Sequence, residues 1–412
     1  ECFMILSWVT YGILVLLILF GGKFAFGRGK FNDDFLSLEA TKCLRGLAAI
    51  GVILHHISQE GAFQKVRELS PFVNAGFYFV AIFFFCSGFG LIKSLKSKPN
   101  YFDGFLKNRV LKTIVVPFYV CVLIYGIYKL IIGVKMPVAH WITNLLGLTL
   151  MNDYAWYPIV LAILYIAFYF IFKYVKNRKL CFALMFLVIF AQGVFFAVTG
   201  HFAWWAGEQN WWLQPNGWAN AQWWMHQKIM WFFGEWWVNS SIAFFIGMIY
   251  ANFEEKIVAW FKKCYWMKLV ALLVLWMTFN FISGMAQWKL GYWSEYSGKG
   301  PGVFNKFVCY LSQLPQVTFF VLFVFTTMMK FYSVNPITKF FGNVSYETYM
   351  MNLMALELFR FLLYKNQNGR NMPFYNAGNY NLAIYAVAVL AGTVLLGLMY
   401  RFLNNQAKKL IK

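Results

Sequence analysis

The chain has 412 residues, of which 61% are hydrophobic and only 12% are charged. A soluble domain carries about 25% charged residues, so this composition excludes an ordinary water-soluble fold and indicates that lipid is the main solvent. The net charge of +21 then favours basic loops at an anionic membrane surface over nucleic-acid binding.

Apolar runs close to the length that crosses a bilayer recur along the whole chain. The first is followed by Lys23, Arg28 and Lys30 without a small-residue cleavage site, so we expect a retained transmembrane anchor and not a signal peptide. The eleven candidate runs are approximately 4–22, 44–59, 72–92, 113–133, 154–174, 180–199, 229–251, 265–285, 307–329, 343–364 and 380–403. The predicted fold class is all-α, a polytopic membrane helical bundle with about 11 transmembrane helices.

Two regions follow from these runs, and no internal repeat divides them further. We expect an N-terminal transmembrane anchor and cytoplasmic linker over residues 1–40, and one membrane domain over residues 41–412. The seven cysteines are dispersed through the chain without a C-x-x-C pair, which argues against a disulfide framework and against a metal site.

Lysine and arginine are distributed unequally between alternate connections. The loops after the odd-numbered runs, taken with the C-terminus, hold 24 of these residues, whereas the loops after the even-numbered runs hold 10. Basic loops stay on the cytoplasmic side of a membrane. The asymmetry predicts an N-terminus outside and a C-terminus inside a cytoplasmic membrane of the bacterial type.

The second run contains the polar residues that point most strongly to chemistry. Arg45 and His56 are eleven residues apart, which at about 100° per residue brings them within about 20° of one helix face and separates them by about 16 Å along the axis. Ionisable groups inside a span usually line a cavity. His56 has the chemistry of a general base, with Glu60 one turn further to orient it, whereas His55 faces another direction.

The connection after the sixth run is rich in tryptophan. His201–Trp231 contains eight tryptophans and one basic residue. Two interpretations are open: an aromatic belt at the membrane interface, or a platform on which indole rings stack against sugar rings. In the second interpretation Trp211, Trp212 and Trp223 contact a carbohydrate, and Glu235 at the outer boundary of the next run is a further substrate contact.

Six blocks in order resemble the acyltransferase-3 family of integral-membrane acyltransferases. Beyond the R-x10-H spacing they include the SGF block at Ser87, the F-x3-R-x2-R-x4-P block around Arg109 and Lys112, and the late G-x-x-S-Y-x-x-Y block that ends at Asn352. The others are Trp156–Tyr157 and the F-x-x-G-M block of FFIGMIYANFEEK, residues 244–256.

The resemblance implies transfer of an acetyl or similar acyl group from acyl-CoA to a carbohydrate outside the cytoplasm. It implies a catalytic role for His56 and donor binding at Arg45, and we expect Arg109, Lys112 and Ser87 to be further donor contacts. Acyl-CoA is then a donor substrate, and no bound cofactor is expected. The expected partners are a surface polysaccharide or lipid-linked sugar and membrane lipid.

Three departures from the family pattern stand out. Lys112 replaces the second arginine of its block and loses bidentate geometry toward phosphate. Asn352 stands where the family often has a histidine, so a second catalytic histidine is not expected there. The family core usually has ten helices, which makes the first run an additional one.

Two functions of other classes are alternatives to acyl transfer. A transporter of polysaccharide or lipid-linked sugar predicts paired discontinuous helices or an internal repeat, and the sequence shows neither. A sensor or assembly scaffold without catalysis predicts that His56 can be replaced without loss of function.

The predicted sidedness can be tested by thiol labelling. In a background without reactive native cysteines, Asn210→Cys should react with a membrane-impermeant maleimide in intact cells, whereas Lys408→Cys should react only after permeabilisation, because the basic C-terminus is expected inside. Labelling of position 408 in intact cells would reverse the whole orientation.

Overall fold

The structure is a computed structural model, and it describes residues 2–27, 29–63, 66, 69–134, 138–147, 150–199, 236–290, 302–363 and 379–411. In this part of the chain helices predominate, as predicted, and the strands are confined to one short pair. The elements in chain order are α1 (Cys2–Leu19), β1 (Gly22–Phe24), α2 (Leu38–Gln59), a 3₁₀ turn (Gly61–Phe63), α3 (Ser70–Val73), α4 (Gly76–Ser97), a π-helical stretch (Leu106–Val115), α5 (Val116–Ile131), α6 (Val138–Leu145), α7 (Trp156–Tyr174), α8 (Arg178–Thr199), α9 (Trp236–Asn252), α10 (Glu254–Lys262), α11 (Tyr265–Leu290), α12 (Gly302–Met328), β2 (Phe331–Ser333), α13 (Pro336–Asn343), α14 (Ser345–Leu363) and α15 (Asn379–Lys409).

The chain divides into two compact units. The first comprises Glu1–Phe83 and Phe325–Lys412, and the second comprises Phe84–Val324. In the first unit α2 packs against α13 and α14, and α14 packs along α15. In the second unit α8 packs against α7 and α9, and α7 packs against the π-helical stretch.

Helix α2 starts six residues before the predicted apolar run. Ser37 caps it, since the Ser37 hydroxyl oxygen accepts a hydrogen bond from the Ala40 amide at 3.2 Å, and Glu39 places a negative charge near the positive end of the helix dipole. The buried residues of α2 are mostly small, as at Gly46 and Ala48–Ala49. Small residues let neighbouring backbones approach closely, as at helix contacts in membranes.

Glycines bring α2 and α13 into backbone contact. A Cβ atom added at Gly46 would collide with the Thr338 carbonyl oxygen and with the Gly342 amide nitrogen. A Cβ atom added at Gly342 would collide with the Lys42 carbonyl oxygen. The contact between these two helices therefore requires glycine on both sides.

Glycines also bring the backbones of α4 and α9 into contact, in the second unit. A Cβ atom at Gly88, in the SGF block, would collide with the Phe244 carbonyl oxygen, and one at Gly247, in the F-x-x-G-M block, would collide with the Phe85 carbonyl oxygen. The SGF block and the F-x-x-G-M block thus pack against each other, one on α4 and the other on α9.

The two strands were not part of the predicted all-α bundle. Strand β1 pairs antiparallel with β2, with Lys23 opposite Tyr332. The Lys330 ammonium next to β2 donates hydrogen bonds to the carbonyl oxygens of Ala25 at 3.3 Å, Gly27 at 2.9 Å and Lys30 at 2.5 Å. The Lys330 ammonium therefore binds three carbonyl oxygens of the connection after α1, close to the three residues of that connection that pair as a strand.

Six described helices are long and apolar enough to cross a membrane, so the predicted count of eleven is not confirmed. They are Gly76–Ser97, Leu106–Ile131, Trp156–Tyr174, Tyr265–Leu290, Phe307–Met328 and Leu382–Lys409. Helix α2 is not among them, and the charges of Glu39, Lys42 and Arg45 together with two histidines reduce its apolar character. Its packing against α13 and α14 indicates that α2 faces protein more than lipid.

The glycine contact of α2 makes a direct stability prediction. Gly46→Ala should lower the free energy of unfolding by about 1–3 kcal/mol, the usual cost of overpacking, because the new methyl group meets the Thr338 carbonyl. The matched control is Gly284→Ala on an exposed part of α11, where a Cβ atom meets nothing within 4 Å. Thermal unfolding in one detergent compares the two, and equal midpoints would show that the close contact is not formed.

Candidate active site

The candidate site is built around His56, whose side chain is buried in the first unit with 7% of its surface exposed. Its Nδ1 atom lies 2.6 Å from Oδ1 of Asn352. The Asn352 side chain is fully buried, and its amide nitrogen donates a hydrogen bond to Thr393 Oγ1 at 3.0 Å. Three helices, α2, α14 and α15, therefore each contribute one residue to a buried polar chain.

The His55 ring lies beside the His56 ring, with 5.1 Å between the ring centroids, but it bonds to a different segment. Its Nδ1 atom lies 2.7 Å from the Phe72 carbonyl oxygen in α3. Its ring also fills the space beside Gly76, where a Cβ atom would collide with the imidazole. These contacts make His55 a packing and hydrogen-bonding residue that ties α2 to the segment that follows it.

Glu60 is engaged by a residue of another helix. It forms an ion pair with Arg360 of α14, and 12% of the Glu60 side chain is exposed. The residue is the C-cap of α2 and has an extended backbone, with φ −60° and ψ 133°. Asn352, and not Glu60, contacts Nδ1 of His56, so orientation of the imidazole by Glu60 stays a prediction.

Arg45 lies on α2 at the other end of the stripe and is half-buried. Its Nε atom is buried, and within the described part of the chain no atom hydrogen bonds to it. Buried polar atoms in proteins are almost always paired with protein, water or ligand. A guanidinium in this state is suited to an anionic ligand, for which arginine offers a planar set of donors.

The other predicted donor contacts lie in the second unit. Ser87 is half-buried on α4 next to the close-packed Gly88. Arg109 and Lys112 lie on the π-helical stretch, where Arg109 is exposed and Lys112 is half-buried. The structure explains the unusual helix locally, because Pro117 lacks an amide hydrogen and the preceding Val116 amide bonds five residues back, to the Leu111 carbonyl.

The predicted carbohydrate contacts fall outside the described residues. These are Trp211, Trp212, Trp223 and Glu235. The choice between an interfacial belt and a sugar platform therefore stays a prediction. Within the described ranges no group of three or more histidine, cysteine or carboxylate side chains is arranged to hold a metal ion.

Sequence reasoning did not identify Asn352 or Thr393 as neighbours of His56. They are 296 and 337 residues from it along the chain, too far for helical periodicity to relate them. One signal was available, because Asn352 occupies the position of the late block at which the resembled family often has a histidine.

Comparison with known families covers most of the chain. A family model described as an acyltransferase domain matches residues 39–401. No curated protein and no solved structure matches the chain in the parallel comparisons. The matched region contains all described residues of the candidate site, and the apolar helices within it are those of an integral membrane protein. The chain therefore belongs to the acyltransferase-3 family of integral-membrane acyltransferases.

Proposed function

We propose that this protein is a membrane O-acyltransferase that moves an acetyl or similar acyl group from cytosolic acyl-CoA to an extracytoplasmic carbohydrate. The observation that carries the proposal is His56, an imidazole buried in a membrane acyltransferase with one ring nitrogen held by Asn352. Histidine is the most frequent general acid and base in enzymes.

The proposed reaction needs one proton acceptor and no covalent enzyme intermediate. Nε2 of His56, the ring nitrogen that Asn352 does not contact, takes the proton of an acceptor hydroxyl while the hydroxyl oxygen attacks the thioester carbonyl carbon of acyl-CoA. The bond between this carbon and sulfur then breaks. The coenzyme A thiolate leaves and takes the proton from the imidazolium, which restores neutral His56.

Arg45 is the proposed contact for the donor phosphates. It lies about 16 Å from His56 along α2, estimated from the rise of 1.5 Å per residue, and this is of the order of the length of a pantetheine arm. An anion at Arg45 would supply the partner that its buried Nε atom lacks among the described residues. Ser87, Arg109 and Lys112 are proposed as further donor contacts on the strength of the family pattern.

The acceptor side of the proposal rests on the sequence. The tryptophan-rich segment and Glu235 are proposed to bind a surface polysaccharide or a lipid-linked sugar, with the protein in a cytoplasmic membrane of the bacterial type. Comparison of surface glycan mass spectra with and without the gene tests the substrate class. Loss of the mass increment of an acetyl or succinyl group on deletion supports it, and unchanged spectra contradict it.

The two adjacent histidines provide a matched test of the catalytic assignment. His56→Asn keeps an amide donor for Asn352 but has no basic nitrogen, so transfer should fall by about 10²–10⁴-fold, the usual contribution of positioned acid–base catalysis. Binding of acyl-CoA should persist. His55→Asn keeps a donor for the Phe72 carbonyl and should retain most of the activity.

Single-turnover transfer and donor binding should be measured on purified, monodisperse protein, so that misfolding is not mistaken for lost chemistry. Transfer at the unmodified rate by His56→Asn would remove His56 from the mechanism. Loss confined to His55→Asn would show that the other histidine is the base.

Arg45→Lys tests the donor site separately. Lysine keeps the charge but loses the forked donors, and a hydrogen bond to a charged group contributes about 1.5–3 kcal/mol. The dissociation constant of acyl-CoA should therefore rise by roughly 10- to 100-fold while some turnover remains. The control is Arg401→Lys at an exposed position of α15, and equal affinities in the two variants would contradict a phosphate contact at Arg45.

A further inference from the structure

Two buried hydrogen bonds connect His56, Asn352 and Thr393, and each has a defined donor and acceptor. Asn352 presents an amide with one accepting and one donating end, and its nitrogen donates to Thr393 Oγ1 at 3.0 Å. Its oxygen is then the atom that faces His56, at 2.6 Å from Nδ1. An amide oxygen only accepts, so the hydrogen of this bond resides on Nδ1 of His56.

We infer that Asn352, anchored by Thr393, is the positioning residue that keeps Nδ1 of His56 protonated and reserves Nε2 for the acceptor hydroxyl. The inference rests on the proposed function, because it assigns the reacting nitrogen of the same base. It gives the α14 and α15 residues a role in the chemistry although neither needs to touch the substrate.

The opposite orientation of the amide would not support catalysis. With the Asn352 nitrogen toward His56, Nδ1 would have to accept, and the single hydrogen of a neutral imidazole would move to Nε2. The base would then be blocked at the nitrogen that must receive the proton. Once the imidazolium forms, both ring nitrogens carry hydrogen, and two donors would face each other. The observed orientation alone suits both protonation states of the ring.

Burial requires that both ends of the Asn352 amide have partners. His56 is 7% exposed, and Asn352 and Thr393 are fully buried. A buried amide group that loses its hydrogen-bond partner is costly. The Thr393 hydroxyl oxygen accepts a hydrogen bond from the Asn352 nitrogen, and in this arrangement the Asn352 oxygen faces the ring.

The site also explains why a neutral amide can stand at this position. The general logic is that of catalytic histidines oriented through Nδ1 by a third residue, for which both carboxylate and asparagine partners occur. The nearest described carboxylate along α2 is Glu60, and it is engaged by Arg360. Orientation of His56 therefore depends on an amide, and the tautomer of the ring depends on what anchors that amide.

Two pairs of near-isosteric variants test the inference. Asn352→Leu removes both hydrogen bonds and should lower kcat by at least about 10²-fold, because the base is no longer held in one tautomer. Asn352→Asp keeps an oxygen acceptor and should retain turnover. Thr393→Val should lower kcat by up to about tenfold, the range of one neutral hydrogen bond, whereas Thr393→Ser should behave like the unmodified protein.

The readouts separate positioning from general stability. The KM of each substrate and the affinity for acyl-CoA should stay unchanged in all four variants. Nitrogen NMR of ¹⁵N-histidine-labelled protein, with His56 identified by its absence in His56→Asn, should show hydrogen on Nδ1 in the unmodified protein and in Thr393→Ser. Thr393→Val should show a mixture of tautomers, which tests the inference even if Asn352→Leu fails to fold.

The outcomes distinguish this inference from the proposed function. If His56→Asn is inactive while Asn352→Leu and Thr393→Val keep normal kcat and the same tautomer, the positioning role is wrong and the base assignment stands. If His56→Asn transfers normally, the proposed function fails first. A lower unfolding temperature with unchanged kcat in the Thr393→Val protein would show that the hydrogen bond between Asn352 and Thr393 contributes only to stability. That result would overturn the inference.

Discussion

Helix α2 must hold ionisable residues inside a membrane domain, and the surrounding structure follows from that constraint. Polar atoms in such a domain need partners from the protein itself or from a ligand. His55 is satisfied by the carbonyl of Phe72, and His56 by the amide of Asn352. Arg45 keeps a buried Nε atom without a described partner. The histidines of α2 thus have hydrogen-bond partners, while the buried Nε atom of Arg45 fits the proposed contact with a donor phosphate.

Close packing by glycine makes this arrangement possible. Gly46 and Gly342 allow the backbones of α2 and α13 to touch, and α14 follows α13 after a single residue. The short α13 therefore fixes where α14 starts relative to α2, and Asn352 lies two turns into α14. The late sequence block begins at Gly342, which contacts α2, and ends at Asn352, which bonds to His56. Its length therefore sets the distance along the chain between these two contacts.

Local periodicity predicted some of this site and missed the rest for identifiable reasons. The common face of Arg45 and His56 and the different direction of His55 follow from helical geometry alone, and α2 is helical over both. The ion pair of Glu60 with Arg360 of α14 could not be predicted from helical spacing along α2. Asn352 and Thr393 come from distant parts of the chain, so only the fold relates them to His56. Strand β1 was missed because the strand that it pairs with, β2, is some 300 residues away in the chain.

Three described contacts each join the connections or ends of two predicted apolar runs. Strands β1 and β2 join the connections after the first and ninth runs, and in the second unit Lys93 and Glu254 join those after the third and seventh, at 2.9 Å. Glu60 and Arg360 join the ends of the second and tenth runs. Each pair belongs to one side in the alternation that the basic residues predict. The number of spans, the alternation and the identity of the cytoplasmic side stay predictions.

The central claim of the proposal is that His56 takes the proton of an acceptor hydroxyl that reaches it from outside the cytoplasm, while acyl-CoA enters from the cytosol. Sealed inverted and right-side-out membrane vesicles that carry the natural acceptor test it most directly, with radiolabelled acetyl-CoA added outside. The charged donor does not cross the bilayer. The account predicts incorporation of label into glycan in inverted vesicles, and loss of it with His56→Asn. Equal incorporation in sealed right-side-out vesicles would contradict the account.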